Sequence, residues 1–280
     1  MDALERMNVG ILFAIGGDGT FRAASKIAEE IRNRNGKISV IGIPKTIDND
    51  ILFVSRSFGF NTAVSMATQA IGAAHVEANG APNGIGLVKL MGRHSGFIAA
   101  SAALDKRYAN FVLIPESDFD IDGPHGFLAV LEKRLIDRRH AVIVAAEGAG
   151  QKYCGVQGTD DSGNLRLGDI GLYLKQRITE HFESIGMEIN LKYIDPSYLI
   201  RSVPATANDS VFCGFLAQNA VHAGMAGKTD MVVGMLNDEF VYIPIRLVVS
   251  GRKQVELDGK LWNSVIEATG QPSFKAESVP

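Results

Sequence analysis

Residues 8–50 read NVGILFAIGGDGTFRAASKIAEEIRNRNGKISVIGIPKTIDND. The runs NVGILFAI and ISVIGI are short, apolar and β-branched, so both read as strands; FRAASKIAEEIRNRN between them reads as a helix closed by Gly36. Strand, crossover helix, strand is the signature of a parallel sheet covered by helices on both faces. The alternation continues to the end of the chain. GIGLVKL, NFVLIP, HAVIVAAE, MEINLKYI, DMVVGM and EFVYIPI read as further strands, and four of the intervening stretches, from NTAVSMATQAIGAAHVEAN to NDSVFCGFLAQNAVHAGMAGK, as helices. Such continuously apolar strands suit sheets buried on both faces. The 280 residues are enough for about two domains. No linker separates two bodies, so two domains would exchange the chain directly. In folds of this kind ligands gather at the carboxyl ends of strands, and the residues that follow each strand carry the functional information.

Composition narrows the classes. The chain is 46% hydrophobic and 21% charged with a net charge of −3, an ordinary globular mixture. Its charges interleave, so no basic face points to nucleic acid or acidic lipid. The longest apolar runs, such as ILFAI and AVIVAA, fall far below the ~20 residues a membrane span needs. MDALERMNVG is polar and acidic, and reads as no signal peptide. Cys154 and Cys213 offer no disulfide framework, which fits a reducing, cytoplasmic setting. The six histidines lack zinc spacing.

Five stretches after strands carry chemistry. AIGGDGTF (14–21) has Gly16, Gly17 and Gly19, expected to take positive φ and let backbone approach a ligand. The helix that follows offers N–H groups to phosphate. Asp18 would repel a bare phosphate and suits one bridged by Mg²⁺; the bland alternative is a tight turn with a capping aspartate. PKTIDND (44–50) places Thr46, Asp48 and Asp50 on one side if extended. Those two aspartates either shape a corner or handle a hydroxyl proton and a metal. KLMGRHSGF (89–97) offers Arg93 to a phosphoryl group or a surface ion pair, with His94 the weaker candidate. VAAEG places Glu147 at a strand end, suited to sugar hydroxyls or to a turn. KYIDPSYLIRS (192–202) offers Tyr198 and Arg201, on one face if the stretch is helical, and suited to a phosphate monoester. AGMAGKTD (223–230) ends like a phosphate loop, but the required first glycine falls at His222 and the strand comes after it. GRHSG has its serine one place late for a nucleophile elbow.

GGDGT, PKTIDND, MGRHSGF and IDPSYLIR, in this order, resemble the phosphofructokinase family, with matching segments from about residue 8 to about 245. The PKTIDND and IDPSY forms resemble its branch of pyrophosphate-dependent enzymes and their ATP-using relatives. The resemblance implies an α/β fold of two doubly wound, three-layer domains with mostly parallel sheets. Residues 1–59 with about 205–247 would bind nucleotide, and about 60–204 with 248–280 sugar phosphate. It implies phosphoryl transfer from ATP to the 1-hydroxyl of fructose 6-phosphate, in glycolysis. Asp48 resembles the general base, and Thr46 and Arg93 the groups around the transferring phosphoryl. Asp18 resembles the Mg²⁺ carboxylate with Asp50 in support, and Gly17, Gly19 and Thr20 the nucleotide-phosphate loop. Ile47, Met91, Gly92 and Glu147 match the sugar side, and Tyr198 and Arg201 the 6-phosphate pair. Lys192 matches a basic residue lent to a neighbouring subunit, implying a homodimer or homotetramer.

The donor follows from Gly19, because an aspartate there would crowd and repel the α-phosphate of ATP and leave pyrophosphate. Lys45 is the residue that pyrophosphate users tend to keep, so the two signals oppose; lost space outweighs added attraction, and ATP is expected. Family members begin with another βα unit and a donor-wrapping glycine loop. The resemblance therefore implies a chain incomplete at its N-terminus with an exposed sheet edge. The alternatives are a pyrophosphate-dependent enzyme or an inactive sugar-phosphate-binding remnant.

Overall fold

The structure, a computed structural model, describes residues 1–155, 158 and 166–275. In chain order it forms α1 (Asp2–Arg6), β1 (Ile11–Gly16), α2 (Asp18–Asn33), β2 (Ser39–Pro44), α3 (Phe60–Asn79), β3 (Gly84–Leu90) and α4 (Phe97–Lys106). Then come β4 (Phe111–Leu113), α5 (Phe127–Arg138), β5 (His140–Ala146), α6 (Gln151–Cys154), α7 (Ile170–Ser184) and β6 (Asn190–Ile194). A 3₁₀ turn (Ser197–Arg201) leads to α8 (Ala207–Met225), β7 (Met231–Leu236), β8 (Glu239–Pro244), α9 (Ile245–Val248) and α10 (Lys260–Thr269). The chain divides into two compact units, Met1–Thr62 with Val203–Lys253 and Ala63–Ser202 with Gln254–Pro280. Residues 276–280, at the end of the expected sugar-phosphate domain, lie outside the described residues.

The first unit holds a sheet of order β1-β2-β7-β8, parallel except for β8. Side chains alternate across a strand, so neighbouring residues serve opposite faces. Val40 and Val232 pack with Phe21, Ala24 and Ala28 of α2 and with Ile245 and Val248 of α9. Ile41, Met231 and Val233 pack with Phe212, Leu216 and Ala220 of α8. Two helical layers thus sandwich the sheet. β8 turns back on β7 because Asn237 and Asp238 both take left-handed φ, the two-residue turn that matches strand twist. Among the described residues β1 has a strand on one side only, and Ile15 on it is 59% exposed.

The second unit has an all-parallel sheet of order β4-β5-β3-β6. Leu87, Phe111 and Ile143 pack on one face with Leu131 and Leu135 of α5 and with Leu174 and Phe182 of α7. On the other face α3 lies almost against the backbone of β3. A methyl group added at Gly84 or Gly86 would fall 2.0 Å from the Ala78 carbonyl oxygen or 2.6 Å from that of Ala74. The expected α/β architecture of covered, mostly parallel sheets is therefore present in both units. Among the described residues no helix is long and apolar enough to cross a membrane.

Candidate functional site

In the first unit the two motif loops lie side by side, because β1 and β2 pair in parallel with Gly16 opposite Pro44. The Lys45 N–H donates to the Gly16 carbonyl at 2.9 Å, tying the loops at their roots. Gly17 caps α2 in extended backbone, and Asp18, Gly19 and Thr20 form its first turn. The positive φ expected at Gly16, Gly17 and Gly19 is absent. Gly16 serves packing instead: an added Cβ would meet the Thr20 hydroxyl oxygen at 2.1 Å. Gly19 faces open space, with no atom within 4 Å of an added Cβ.

PKTIDND is likewise not the extended segment whose alternation would align Thr46, Asp48 and Asp50. The left-handed residue here is Asn49, at φ 55°, and it breaks the alternation. Ile47 and Asp48 stay half-buried while Asp50 is buried. The loop is braced from within. Thr46 Oγ1 accepts from the Asp48 N–H at 3.2 Å, and Ser57 Oγ donates to the Thr46 carbonyl at 2.8 Å. Asn49 Oδ1 accepts the Ser57 N–H at 3.0 Å. This brace runs to the start of α3 at Phe60, so Asp48 stands on a long built loop and not on a tight corner. Lys45 is exposed beside it.

Arg22 and Arg252 reach these carboxylates. Arg22 pairs with Asp18 at 2.9 Å from one helical turn on. Arg252, which the motif reading missed, pairs with Asp50 at 2.8 Å and lies 3.5 Å from Asp18. Among the described residues no group of three His, Cys, Asp or Glu side chains could cage a metal. One or two carboxylates is nevertheless the hard-oxygen set on which Mg²⁺ sits when it shares its remaining positions with phosphates and water. Asp18 fits that description. Asp50, its Oδ2 bonded to Arg252, fits an outer position.

The second unit carries a cavity of about 310 Å³ at the carboxyl ends of β3 and β6. Lys89, Met91 and Arg93 line it from β3 and the loop beyond, Glu147 from the end of β5, and Tyr198 and Arg201 from the 3₁₀ turn. Gly92 takes φ +138°, and a Cβ there would fall 2.6 Å from the Ser95 carbonyl oxygen, so only glycine turns the chain here. The Glu147 N–H donates to Leu90 at 2.8 Å and the Gly148 N–H to Gly92 at 3.1 Å, locking the two loops together. Burial pushes the Glu147 carboxyl above its usual range, against the pull of Arg93 and Lys89. Tyr198 and Arg201 share one face of their turn, with the guanidinium 4.8 Å from the ring centre.

Lys89 opens KLMGRHSGF, and nothing in the sequence sets it apart from other strand-end lysines. Its amine sits 2.8 Å from both Asp169 and Asp195, which holds its pKa well above the usual lysine value despite burial. Asp195 in turn accepts from Ser197 N and Oγ at 3.0 and 2.6 Å and so fixes the start of the Tyr198–Arg201 turn. Lys192 stays outside the cavity, exposed on the edge strand β6. His94 is half-buried, its carbonyl accepting from Gln254 at 3.5 Å. Residues 223–230 run from the end of α8 through a short connection to β7, helix before strand, which is the reverse of a phosphate loop.

A family model described as phosphofructokinase matches residues 1–224. An ATP-dependent 6-phosphofructokinase from Borreliella burgdorferi is 56% identical over 280 residues, covering 97% of this chain and 63% of the relative. ATP-dependent 6-phosphofructokinase 7 of Arabidopsis thaliana is 49% identical, covering 98% and 57%. The chain thus spans less than two thirds of the length of these curated relatives. The crystal structure of a pyrophosphate-dependent phosphofructokinase from Marinobacter aquaeolei shares the fold at a TM-score of 0.76 and 22% identity, over 100% of this chain and 71% of that one. The family pattern runs through both motif loops of the first unit and the cavity of the second, and the chain belongs to the phosphofructokinase family.

Proposed function

We propose that the chain transfers the terminal phosphoryl group of ATP to the 1-hydroxyl of fructose 6-phosphate. The observation that carries the reading is the cavity of the second unit, which sets the half-buried cations Lys89 and Arg93 and the exposed Arg201 around the half-buried carboxylate of Glu147, with Asp195 also on its wall. Arg201 and Tyr198 suit a phosphate monoester, and Glu147 suits sugar hydroxyls. In the first unit the Gly17–Thr20 loop receives donor phosphates, and Asp48 accepts the proton of the attacking hydroxyl. Thr46 orients that loop, and Arg93 stabilises charge on the transferring phosphoryl. Mg²⁺ held by Asp18 would neutralise the donor's phosphate oxygens.

Open space at Gly19 supports ATP, as do the names of the relatives; exposed Lys45 is the feature that favours pyrophosphate. The exposed position of Lys192 suits a side chain lent to a second copy in a homodimer or homotetramer. A cytoplasmic glycolytic setting follows from the substrate.

A coupled assay with fructose 6-phosphate, Mg²⁺ and either donor tests the reading. Asp48→Ala should cut kcat by at least about a hundredfold while sugar-phosphate binding stays intact. Equal loss of both would remove Asp48 from the base role. Turnover with pyrophosphate alone would overturn the donor assignment, and binding without any turnover would leave a sugar-phosphate-binding protein.

A further inference from the structure

Arg252 belongs to no motif, yet its guanidinium faces two carboxylates on separate loops. Nη1 donates to Asp50 Oδ2 at 2.8 Å, and Nη2 lies 3.5 Å from Asp18 Oδ2. The strap that carries it is fastened to the same loop. Ile51 and Arg252 pair as a one-residue antiparallel bridge, and the Lys253 N–H donates to the Asp50 carbonyl at 2.9 Å. Lys253 Nζ donates to the carbonyls of Val54 and Ser55 at 2.6 and 3.1 Å. The backbone that carries Arg252 is therefore fixed to the loop, and its side chain is 35% exposed, against 53% for Arg22, which pairs with Asp18 at 2.9 Å from α2.

Two carboxylates aimed at one cation repel each other when it is gone, and a third charge nearby sets how tightly an added cation is held. We propose that Arg252 is the resident counter-cation of the Asp18–Asp50 pair. It positions the Asp50 carboxylate and, lying 3.5 Å from Asp18, adds positive charge that weakens the locus for a divalent cation. This rests on Asp18 as the metal-facing carboxylate. It does not require the chain to turn over.

The test is Mn²⁺ binding to the full chain without nucleotide, read by electron paramagnetic resonance. Arg252→Gln should tighten Mn²⁺ binding by about tenfold, the scale of removing one unit charge a few ångströms from a solvent-facing site. Where turnover is measurable, kcat should fall while the KM for sugar phosphate holds. Arg252→Lys, which keeps the charge, should bind Mn²⁺ within about threefold of the parent. Asp18→Asn should remove the site. A strap that acts only as a brace would give weaker Mn²⁺ binding in Arg252→Gln, and that result, or no change, overturns the proposal. Mn²⁺ binding that survives Asp18→Asn overturns it too. If the glutamine variant does not fold, the lysine variant decides, and a loss beyond about tenfold there refutes the charge role. A parent with no kinase activity that still shows the Arg252→Gln effect would refute the kinase reading and leave this one standing.

Discussion

Gly19→Asp isolates the donor question, because the fold has room for the change. An added Cβ at Gly19 meets no atom within 4 Å, and its φ is not left-handed, so no strain is introduced. In the first turn of α2 the substitution gains up to ~0.5 kcal/mol of helix propensity and ~0.3–1 kcal/mol from the dipole. The neighbouring Asp18 offsets part of that, so the thermal midpoint should barely move. The donor is another matter. A carboxylate about 4 Å from an α-phosphate oxygen costs ~1 kcal/mol under full solvent screening and ~4 kcal/mol at an effective dielectric of 20. Asp18, one residue away, is 19% exposed at its side chain, which places the local environment between those limits. We therefore expect kcat/KM for ATP to fall at least about fivefold, each ~1.4 kcal/mol being one decade. Pyrophosphate, which has no adenosine-bearing phosphate, should lose less. Gly19→Asn separates bulk from charge, since it fills the same space without repulsion. The assay is steady-state coupled turnover with both donors on variants of unchanged thermal midpoint. An ATP kcat/KM for Gly19→Asp within about twofold of the parent would refute the reasoning, because even a fully screened charge should exceed that.

Two further substitutions probe the second unit. Glu116 accepts N–H bonds from Gly96 and Val255 at 3.0 and 2.9 Å, so Glu116→Ala leaves both unpaired. At about 1–3 kcal/mol each, partly offset by water, chemical denaturation should show a loss of about 2–4 kcal/mol; a loss below ~0.5 kcal/mol would mean water replaces the carboxylate. Burial raises the Glu147 carboxyl above its ordinary value. The stability this group contributes is therefore complete below the usual carboxylate range and is lost as pH rises through the raised value. Glu147→Gln should flatten that part of the stability–pH profile and raise the thermal midpoint at neutral pH while weakening sugar-phosphate binding; an unchanged profile would contradict the burial assignment.

The fold was legible because its signals are local. Period and punctuation in residues 8–50 give strand, helix and strand, and the same reading locates nearly every later element. The candidate loops stand out for the same reason: each follows a strand directly, and its residue types suit phosphate, proton or sugar chemistry. What escaped the sequence was the means by which those residues are held. Positive φ was assigned to Gly16, Gly17 and Gly19 because glycine tolerates it, but tolerance is not requirement. The left-handed residue is Asn49, where an amide can also bond the Ser57 N–H. Asp48 and Asp50 looked equivalent by alternation, and that single backbone reversal makes one half-buried and the other buried.

The partners that complete the site lie far away in sequence. Arg252 reaches Asp50 across 202 residues and Glu116 caps α4 from 20 residues downstream. Neither has a neighbouring pattern that sets it apart from any other surface charge. This division has a physical basis. A motif must bring its reactive groups to one loop, so spacing exposes it. A supporting group needs only to arrive in space, and the alternating chain of an α/β fold can deliver it from any later strand end. For Asp50 that delivery is the Arg252 guanidinium at 2.8 Å, which also lies 3.5 Å from Asp18, itself paired with Arg22 at 2.9 Å. A reading of GGDGT and TIDND as two independent acidic motifs therefore overcounts their negative charge, because part of it is answered by arginines that neither motif contains.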